Sequence, residues 1–187
     1  KFNLRKKILI GICGIGLGHT NRQKNIIEKL LKFDVELVLA VTSSNINQVN
    51  KIFPNIKKVI INIPWIFCDD GGIQFKKTLE KYKKDNIDYF ESFLENSVKI
   101  KKIFNGLPDY VITDYEPNVA QFAYATGIPL ICLEQQSKFL NFLNVYINKF
   151  SVNEEIRRLL YFFPIAYKRY ASSFFPIKKD NKYNLKI

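Results

Sequence analysis

The sequence predicts an α/β fold built on a doubly wound parallel sheet. Short apolar runs typical of buried strands recur along the chain, and segments with helical periodicity separate them. Such alternation favours parallel pairing, because each helix carries the chain back across the sheet. The chain has 187 residues, of which 47% are hydrophobic and 25% charged, so we expect one domain with a substantial core.

The first half of the chain contains three predicted strands and two helical segments. The strands are 7–12, 35–41 and 58–63, and the helical segments are 25–31 and 78–104. Pro64 ends the third strand, and the segment with Asp69-Asp-Gly-Gly72 is interpreted as a loop. The run Asn105-Gly-Leu-Pro108 ends the long helix, because glycine and proline commonly follow helices.

The second half continues the alternation. Its predicted strands are 109–113 and 129–133, with a last short strand and turn at 171–176, and its helical segments are 119–125, about 138–150 and about 153–168. Pro117 stands where the first of these helices can begin, and Gly127 suits the C-terminal cap of that helix.

The chain is strongly basic, with 29 Lys and Arg against 17 Asp and Glu and a net charge of +12. This balance favours nucleotides, phospholipid surfaces or nucleic acid as partners, or else reflects a lysine-rich solvated surface. Cys13, Cys68 and Cys132 lack the spacing of a disulfide framework or zinc site, which favours a reducing compartment. Because we find no apolar run of spanning length and no signal peptide, we expect a cytoplasmic protein.

A glycine-rich turn joins the first strand to the first helix and contains the only histidine of the chain. The turn holds Gly14, Gly16 and Gly18, followed by His19 and Arg22. It is neither a G-x-G-x-x-G dinucleotide turn nor a P-loop. The second strand also lacks, at its end, the acidic residue that would bind a ribose. His19 can accept a proton from an attacking hydroxyl, and Arg22 can face an anion. The alternatives are a purely structural turn and a histidine that only caps it.

Two carboxylates, Asp114 and Glu116, leave the end of another predicted strand together. Either of them could orient His19, hydrogen-bond a sugar hydroxyl or bind a metal. The alternative is that Asp114 caps the helix that begins near Pro117.

A third polar cluster follows the strand at 129–133 and consists of Glu134, Gln135 and Gln136. These side chains have hydrogen-bonding reach but form no specific signature. Doubly wound sheets bind ligands at the carboxyl ends of their strands, near the point where the strand order reverses. We therefore expect segments 13–22, 113–118 and 134–138 to gather there.

Several of these motifs carry a family resemblance. Gly14-Ile-Gly-Leu-Gly-His-Thr-Asn-Arg22 resembles the G-x-G-x-G-H-x-x-R opening of a group of GT-B glycosyltransferases. That group is related to the enzyme that adds N-acetylglucosamine to the lipid-linked peptidoglycan precursor. Similar segments follow in the same order as Asp114-Tyr-Glu-Pro117, Gly127-Ile-Pro129, Glu134-Gln-Gln136 and Ser172-Ser-Phe-Phe-Pro176, the last of which precedes the interdomain linker of the family.

The resemblance implies one Rossmann-like half of a two-domain GT-B fold. In this family the N-terminal domain holds the acceptor, and the C-terminal domain holds the nucleotide-sugar. We expect residues 1–176 to form the acceptor-side domain and residues 177–187 to begin the interdomain linker. The donor-binding domain is not in this chain, so we expect it in cis or on a partner subunit, and we expect the chain alone to be inactive.

The resemblance also implies roles for the clusters in an inverting transfer. His19 would be the general base, and Asp114 or Glu116 would position His19 or the acceptor hydroxyl. The remaining binding residues would be Gly14, Gly16, Gly18, Arg22, Glu134, Gln135 and Gln136. No metal or cofactor is expected, and the partners would be a nucleotide-sugar donor and a hydroxyl acceptor that can be lipid-linked.

Two other functions remain open from the sequence. A sugar-nucleotide hydrolase could use the same histidine with water as the acceptor, and a non-enzymatic module could bind nucleotides or other polyanions. We find no nucleic-acid recognition motif and expect no such partner. Aromatic and basic residues between 139 and 170 could contact the inner face of a membrane, or they could pack the core. They are Phe139, Phe142, Tyr146, Phe150, Arg157, Arg158, Phe162, Phe163, Lys168 and Arg169.

Overall fold

The computed structural model describes residues 5–15, 18–62, 68–69, 72–144, 150–173, 183 and 185–186. Strands and helices alternate as the sequence predicts. In chain order they are β1 (Lys6–Ile12), α1 (Gly18–Leu30), β2 (Val35–Val41), α2 (Ile46–Ile52), β3 (Lys57–Ile60), β4 (Cys68–Asp69), β5 (Gly72–Ile73), α3 (Phe75–Lys84), α4 (Tyr89–Phe104), β6 (Tyr110–Asp114), α5 (Pro117–Thr126), β7 (Leu130–Leu133), a 3-10 helix (Gln136–Asn144), α6 (Phe150–Phe162), β8 (Lys168–Tyr170) and β9 (Leu185–Lys186).

Seven of these strands form one parallel sheet in the order β3-β2-β1-β6-β7-β8-β9. The chain runs from β1 to one edge, returns to the centre at β6, and then runs to the other edge. The strand order therefore reverses between β1 and β6. This confirms the predicted α/β fold with a parallel, doubly wound sheet.

Helices cover both faces of the sheet because the central strands are apolar on both sides. Side chains alternate along β1, so Leu9 packs into a core with α4, α5 and α6. Ile8, Ile10 and Ile12 point to the opposite face and pack with Ile27 of α1. The two cores fix α1 and α5 against β1 and so position the carboxyl ends of the central strands.

The structure divides the helix predicted at 78–104 into α3 and α4. Asn86 lies in the left-handed region with a φ of 50°, which ends the first helix. Asp88 then caps the second helix, since its Oδ1 accepts hydrogen bonds from the backbone N–H groups of Phe90 at 2.7 Å and Glu91 at 3.1 Å. Apolar periodicity continues across the break, which is why the sequence pattern indicated a single helix.

Several further elements differ from the prediction. The short helix α2 was not predicted, and the antiparallel pair β4–β5 lies in the segment interpreted as a loop. The last predicted helix ends at Phe162, since Pro164 opposes continuation, and β8 precedes the position predicted for that strand. Residues 174–176 of that prediction lie outside the described residues.

The last strand of the sheet, β9, lies in the range predicted for the interdomain linker, 177–187. β9 pairs with β8 in parallel, with Leu185 opposite Arg169. The domain boundary at residue 176 stays a prediction. Within the described part of the chain, none of the helices combines the length and apolar character needed to cross a bilayer.

Candidate functional site

The candidate site lies at the carboxyl ends of β1, β6 and β7, where the strand order reverses. Ile12 is paired with Asp114 in the sheet, and the backbone N–H of Cys13 donates to the Asp114 carbonyl at 3.1 Å. The chain then enters α1, whose first turn carries His19. The sheet thereby brings the histidine of one segment to the carboxylate of another, 95 residues further along the chain.

His19 and Asp114 form a hydrogen-bonded pair. The Nδ1 atom of His19 lies 2.8 Å from Oδ1 of Asp114, whose side chain is fully buried. An ionised carboxylate can only accept hydrogen bonds, so the proton of the neutral imidazole resides on Nδ1. The other ring nitrogen, Nε2, is then left with a lone pair. A ring held in this tautomer can accept a proton at Nε2.

Arg22 supplies the positive charge that compensates the buried carboxylate. Its Nη2 lies 2.5 Å from Oδ1 of Asp114, and its Nε lies 3.3 Å from Oδ2. The same Nη2 lies 2.9 Å from Nδ1 of His19, but both nitrogens are donors in the tautomer set by Asp114. These two nitrogens lie close together because both donate to Oδ1 of Asp114, and neither donates to the other. Arg22 thus offsets the negative charge of Asp114 beside the imidazole.

Gln23 is a residue of the site that the sequence analysis missed. It is fully buried, and its Nε2 donates to Oδ2 of Asp114 at 2.8 Å and to the carbonyl of Leu133 at 3.1 Å. A glutamine on a helix has no distinctive sequence pattern. Its position one residue after Arg22, on the inner face of α1, is the signal that could have found it.

Tyr115 forms one wall beside the histidine. Its ring lies 12° from parallel to that of His19, with 6.4 Å between centroids. Its φ of 57° is unusual for a residue other than glycine and turns the side chain away from the strand direction. The Tyr115 hydroxyl donates to Glu155, which also accepts from Nη2 of Arg158 at 2.7 Å. Burial raises the pKa of Tyr115, so it remains a donor that ties the site to α6.

Glu116 does not join His19, contrary to one of the predicted positioning roles. Its carboxylate caps α5, accepting from the backbone N–H groups of Asn118 at 3.0 Å and Val119 at 2.7 Å and from the Asn118 amide at 3.0 Å. The side chain is fully buried, and this burial raises its pKa. The capping role considered for Asp114 belongs to Glu116, because Glu116 is the residue directly before Pro117.

Glycine is found at positions 14 and 18 of the turn for different structural reasons. A Cβ on Gly14 would lie 2.1 Å from Oγ1 of Thr42 and 2.6 Å from Oγ of Ser44, so this glycine permits the β1 and β2 loops to meet. Gly18 begins α1, and a Cβ there would lie more than 4 Å from the other described residues that could oppose it. Gly16 lies outside the described residues. Of the described glycines in the turn, Gly18 leaves room for a ligand.

Glu134 lies at the end of β7 and is buried. Its Oε1 accepts from the Ser137 hydroxyl, whereas its Oε2 has no hydrogen-bond partner among the described residues. Burial is the main cause that raises the pKa of Glu134 to about 8, so the group is largely neutral at neutral pH. Gln135 and Gln136 follow at half-buried positions, and Oε1 of Gln136 also has no partner within the described part.

The structure places several of the residues considered for membrane contact in the interior. Phe163 and Arg169 are buried, and Phe139 and Phe162 pack against the core. The Arg169 guanidinium donates to the Phe163 carbonyl and approaches Sγ of Cys132 at 3.4 Å. Phe163 and Arg169 therefore cannot face a lipid surface, whereas Phe139 and Phe162 are half-buried. Tyr146 and the side chains of Phe142 and Phe150 lie outside what the structure describes, and peripheral membrane contact stays a prediction.

The fold of the chain is similar to that of several solved structures. The chain is similar to MurG of Acinetobacter baumannii, with a TM-score of 0.55 and 15% identity over 96% of this chain and 45% of that one. It is also similar to Arabidopsis thaliana UGT89C1 complexed with UDP. The TM-score is 0.60, and the identity is 14% over 90% of this chain and 46% of that one. The third is a UDP-glucose: anthocyanidin 3-O-glucosyltransferase in complex with UDP. The TM-score is 0.56, and the identity is 12% over 91% of this chain and 47% of that one.

The chain spans less than half the length of these proteins. The chain therefore has the fold of one half of a GT-B glycosyltransferase, as the motifs predicted. Residues 6–186 match the family described as glycosyl transferase family 1. The chain belongs to this family, as its motifs predicted. Comparison with curated proteins finds no match.

Proposed function

We propose that this chain is the acceptor-side domain of an inverting glycosyltransferase that uses a nucleotide-sugar donor. The observation that carries the proposal is the contact of 2.8 Å between Nδ1 of His19 and the buried Asp114 carboxylate. This contact leaves Nε2 as the basic atom, at the switch point where ligands of such sheets bind. The family match supports the choice of sugar transfer over other chemistry.

In the proposed reaction, His19 Nε2 takes the proton of an acceptor hydroxyl. The acceptor oxygen forms a bond to the anomeric carbon while the bond from that carbon to the nucleoside diphosphate breaks. One displacement inverts the configuration at that carbon, and the leaving diphosphate carries away the electron pair. Asp114 stabilises the imidazolium that forms, and Arg22 keeps the pair from being a net negative centre beforehand.

We further propose that a second domain, in the same protein or on a partner subunit, binds the donor. In support, the chain aligns with less than half of each similar structure. Two of those structures are of proteins complexed with UDP, which favours a uridine nucleotide as the first donor to test. The proposal predicts that this chain alone transfers no sugar and that the complementing domain or subunit restores transfer.

The test compares His19→Ala with wild type in the complete protein, with a panel of UDP-sugars and hydroxyl acceptors. Removal of a general base is expected to lower kcat/KM by about 10²–10⁴. Lys24→Ala, an exposed change on the same helix, is the matched control and should leave the rate unchanged. A His19→Ala rate within a few-fold of wild type would exclude His19 as the base. Release of nucleoside diphosphate without any acceptor, at the full rate, would instead indicate a hydrolase.

A further inference from the structure

Gln23 connects three parts of the site. It lies on α1 next to Arg22 and is fully buried, and its amide nitrogen reaches the ends of both β6 and β7. The distances are 2.8 Å to Oδ2 of Asp114 and 3.1 Å to the carbonyl of Leu133. Gln23 has no role in the proposed reaction so far, although it contacts the Asp114 carboxylate that orients His19.

The orientation of the Gln23 amide follows from its partners. A carboxylate oxygen and a backbone carbonyl both accept hydrogen bonds, so only the NH₂ end can satisfy them. Each of the two N–H groups then has one acceptor. The reverse orientation would place Oε1 against two other oxygens. The structure thus fixes Gln23 as a double donor, with no freedom to exchange its two ends.

The two oxygens of Asp114 are held by different groups. His19 and Nη2 of Arg22 approach Oδ1, whereas Oδ2 has the short contact from Gln23 and a longer one of 3.3 Å from Nε of Arg22. Without Gln23, only the longer contact from Arg22 would hold Oδ2, and the carboxylate could tilt out of line with the imidazole. A tilted carboxylate is a weaker acceptor for His19 and favours the proton on Nδ1 less strongly.

We propose that Gln23 is a positioning residue that locks the Asp114 carboxylate and thereby keeps the His19 proton on Nδ1. This inference rests on the proposed function, because it assigns Gln23 a role in presenting Nε2 as the base. A neutral amide suits the task. A second cation beside Arg22 would make the surroundings of Asp114 net positive and would oppose the imidazolium that forms during transfer.

The test uses nuclear magnetic resonance on the full chain, in which His19 is the only histidine. The nitrogen signals of its ring report the tautomer directly, at a pH where the imidazole is neutral. Gln23→Met keeps the length of the side chain and removes both donors. Asn25→Met is the control, because it exchanges an exposed amide on the same helix. We expect the Nδ1–H to Nε2–H ratio to fall about fivefold in Gln23→Met and to stay unchanged in Asn25→Met.

An unchanged ratio in a folded Gln23→Met protein would overturn the inference. Asp114→Asn separates this failure from that of the proposed function. If Asp114→Asn shifts the ratio and Gln23→Met does not, the His19–Asp114 pair stands and Gln23 has no positioning role. If neither variant shifts the ratio, the pair does not set the tautomer, and both the role of Gln23 and the assignment of Nε2 as the base through Asp114 are wrong.

A second measurement decides the matter if Gln23→Met does not fold. In the wild-type chain, both side-chain amide protons of Gln23 should exchange with solvent at least tenfold more slowly than those of Gln48. The Gln48 amide donates to Asn21 at an exposed position, at 3.3 Å, and serves as the internal reference. Exchange of the Gln23 protons at the Gln48 rate would show that the double donor does not exist and would refute the inference.

Discussion

Glu134 should make the stability of this domain depend on pH. Burial raises its folded-state pKa from the ordinary 4.5 to about 8, so the folded chain holds the proton more tightly than the unfolded chain does. Stability from this group is fully present below pH 4.5 and is lost as pH rises towards 8. Within this window, the free energy of unfolding falls by about 1.4 kcal/mol for each pH unit. The loss between pH 4.5 and neutrality is therefore about 3 kcal/mol.

Glu134→Gln is the variant that isolates this effect. The glutamine keeps the shape of the side chain and can still accept from the Ser137 hydroxyl, but it does not titrate. We expect the variant to gain stability over wild type by about 1 kcal/mol or more per pH unit between about pH 5 and pH 8. Glu116 is also buried with a raised pKa, but it is present in both proteins, so its contribution cancels.

The assay is urea unfolding of both proteins at several pH values within that window. Glu95→Gln removes a carboxylate at an exposed position on α4 and is the matched control. A pH-independent difference for Glu134→Gln would refute the reasoning, because it would mean that Glu134 is ionised in the folded chain without penalty.

Two packing predictions can be tested in the same way. Gly11→Ala should destabilise the domain by about 1–3 kcal/mol, since the new Cβ would lie 2.4 Å from Cγ2 of Val119 on α5. Adding Val119→Ala should recover part of this loss, and strict additivity in the double-mutant cycle would contradict the steric explanation. Gly127→Ala should cost about 1 kcal/mol because Gly127 caps α5 with a φ of 70°. Gly18→Ala, which meets open space, is the control for both and should be near neutral.

Local patterns in the sequence were sufficient for the central strands and for α5. The apolar run of β2 has the predicted bounds, and Pro117 and Gly127 begin and cap α5 as expected. These features depend on neighbouring residues alone. The break between α3 and α4 depends on Asp88 acting as a cap, and the apolar spacing of the flanking residues conceals it.

The candidate site was predictable only in part, because its contacts join distant segments. His19 and Asp114 stood out through their residue types and their positions after two strands. Sequence reasoning could not decide which of Asp114 and Glu116 would face the histidine. That choice depends on the strand ending at Asp114, which leaves Glu116 at the N-cap of α5. Gln23 was missed, since its contacts arise where α1 meets the ends of two strands, β6 and β7.

Arg169 on β8 has a consequence for dissecting this domain. The guanidinium is buried between β7 and α6, where it binds the Phe163 carbonyl and lies 3.5 Å from the Ser137 hydroxyl. A chain cut before β8 would expose Cys132 and would leave the Phe163 carbonyl without its donor. β8 is therefore part of the folding unit, and a fragment designed to carry only the histidine site must retain it.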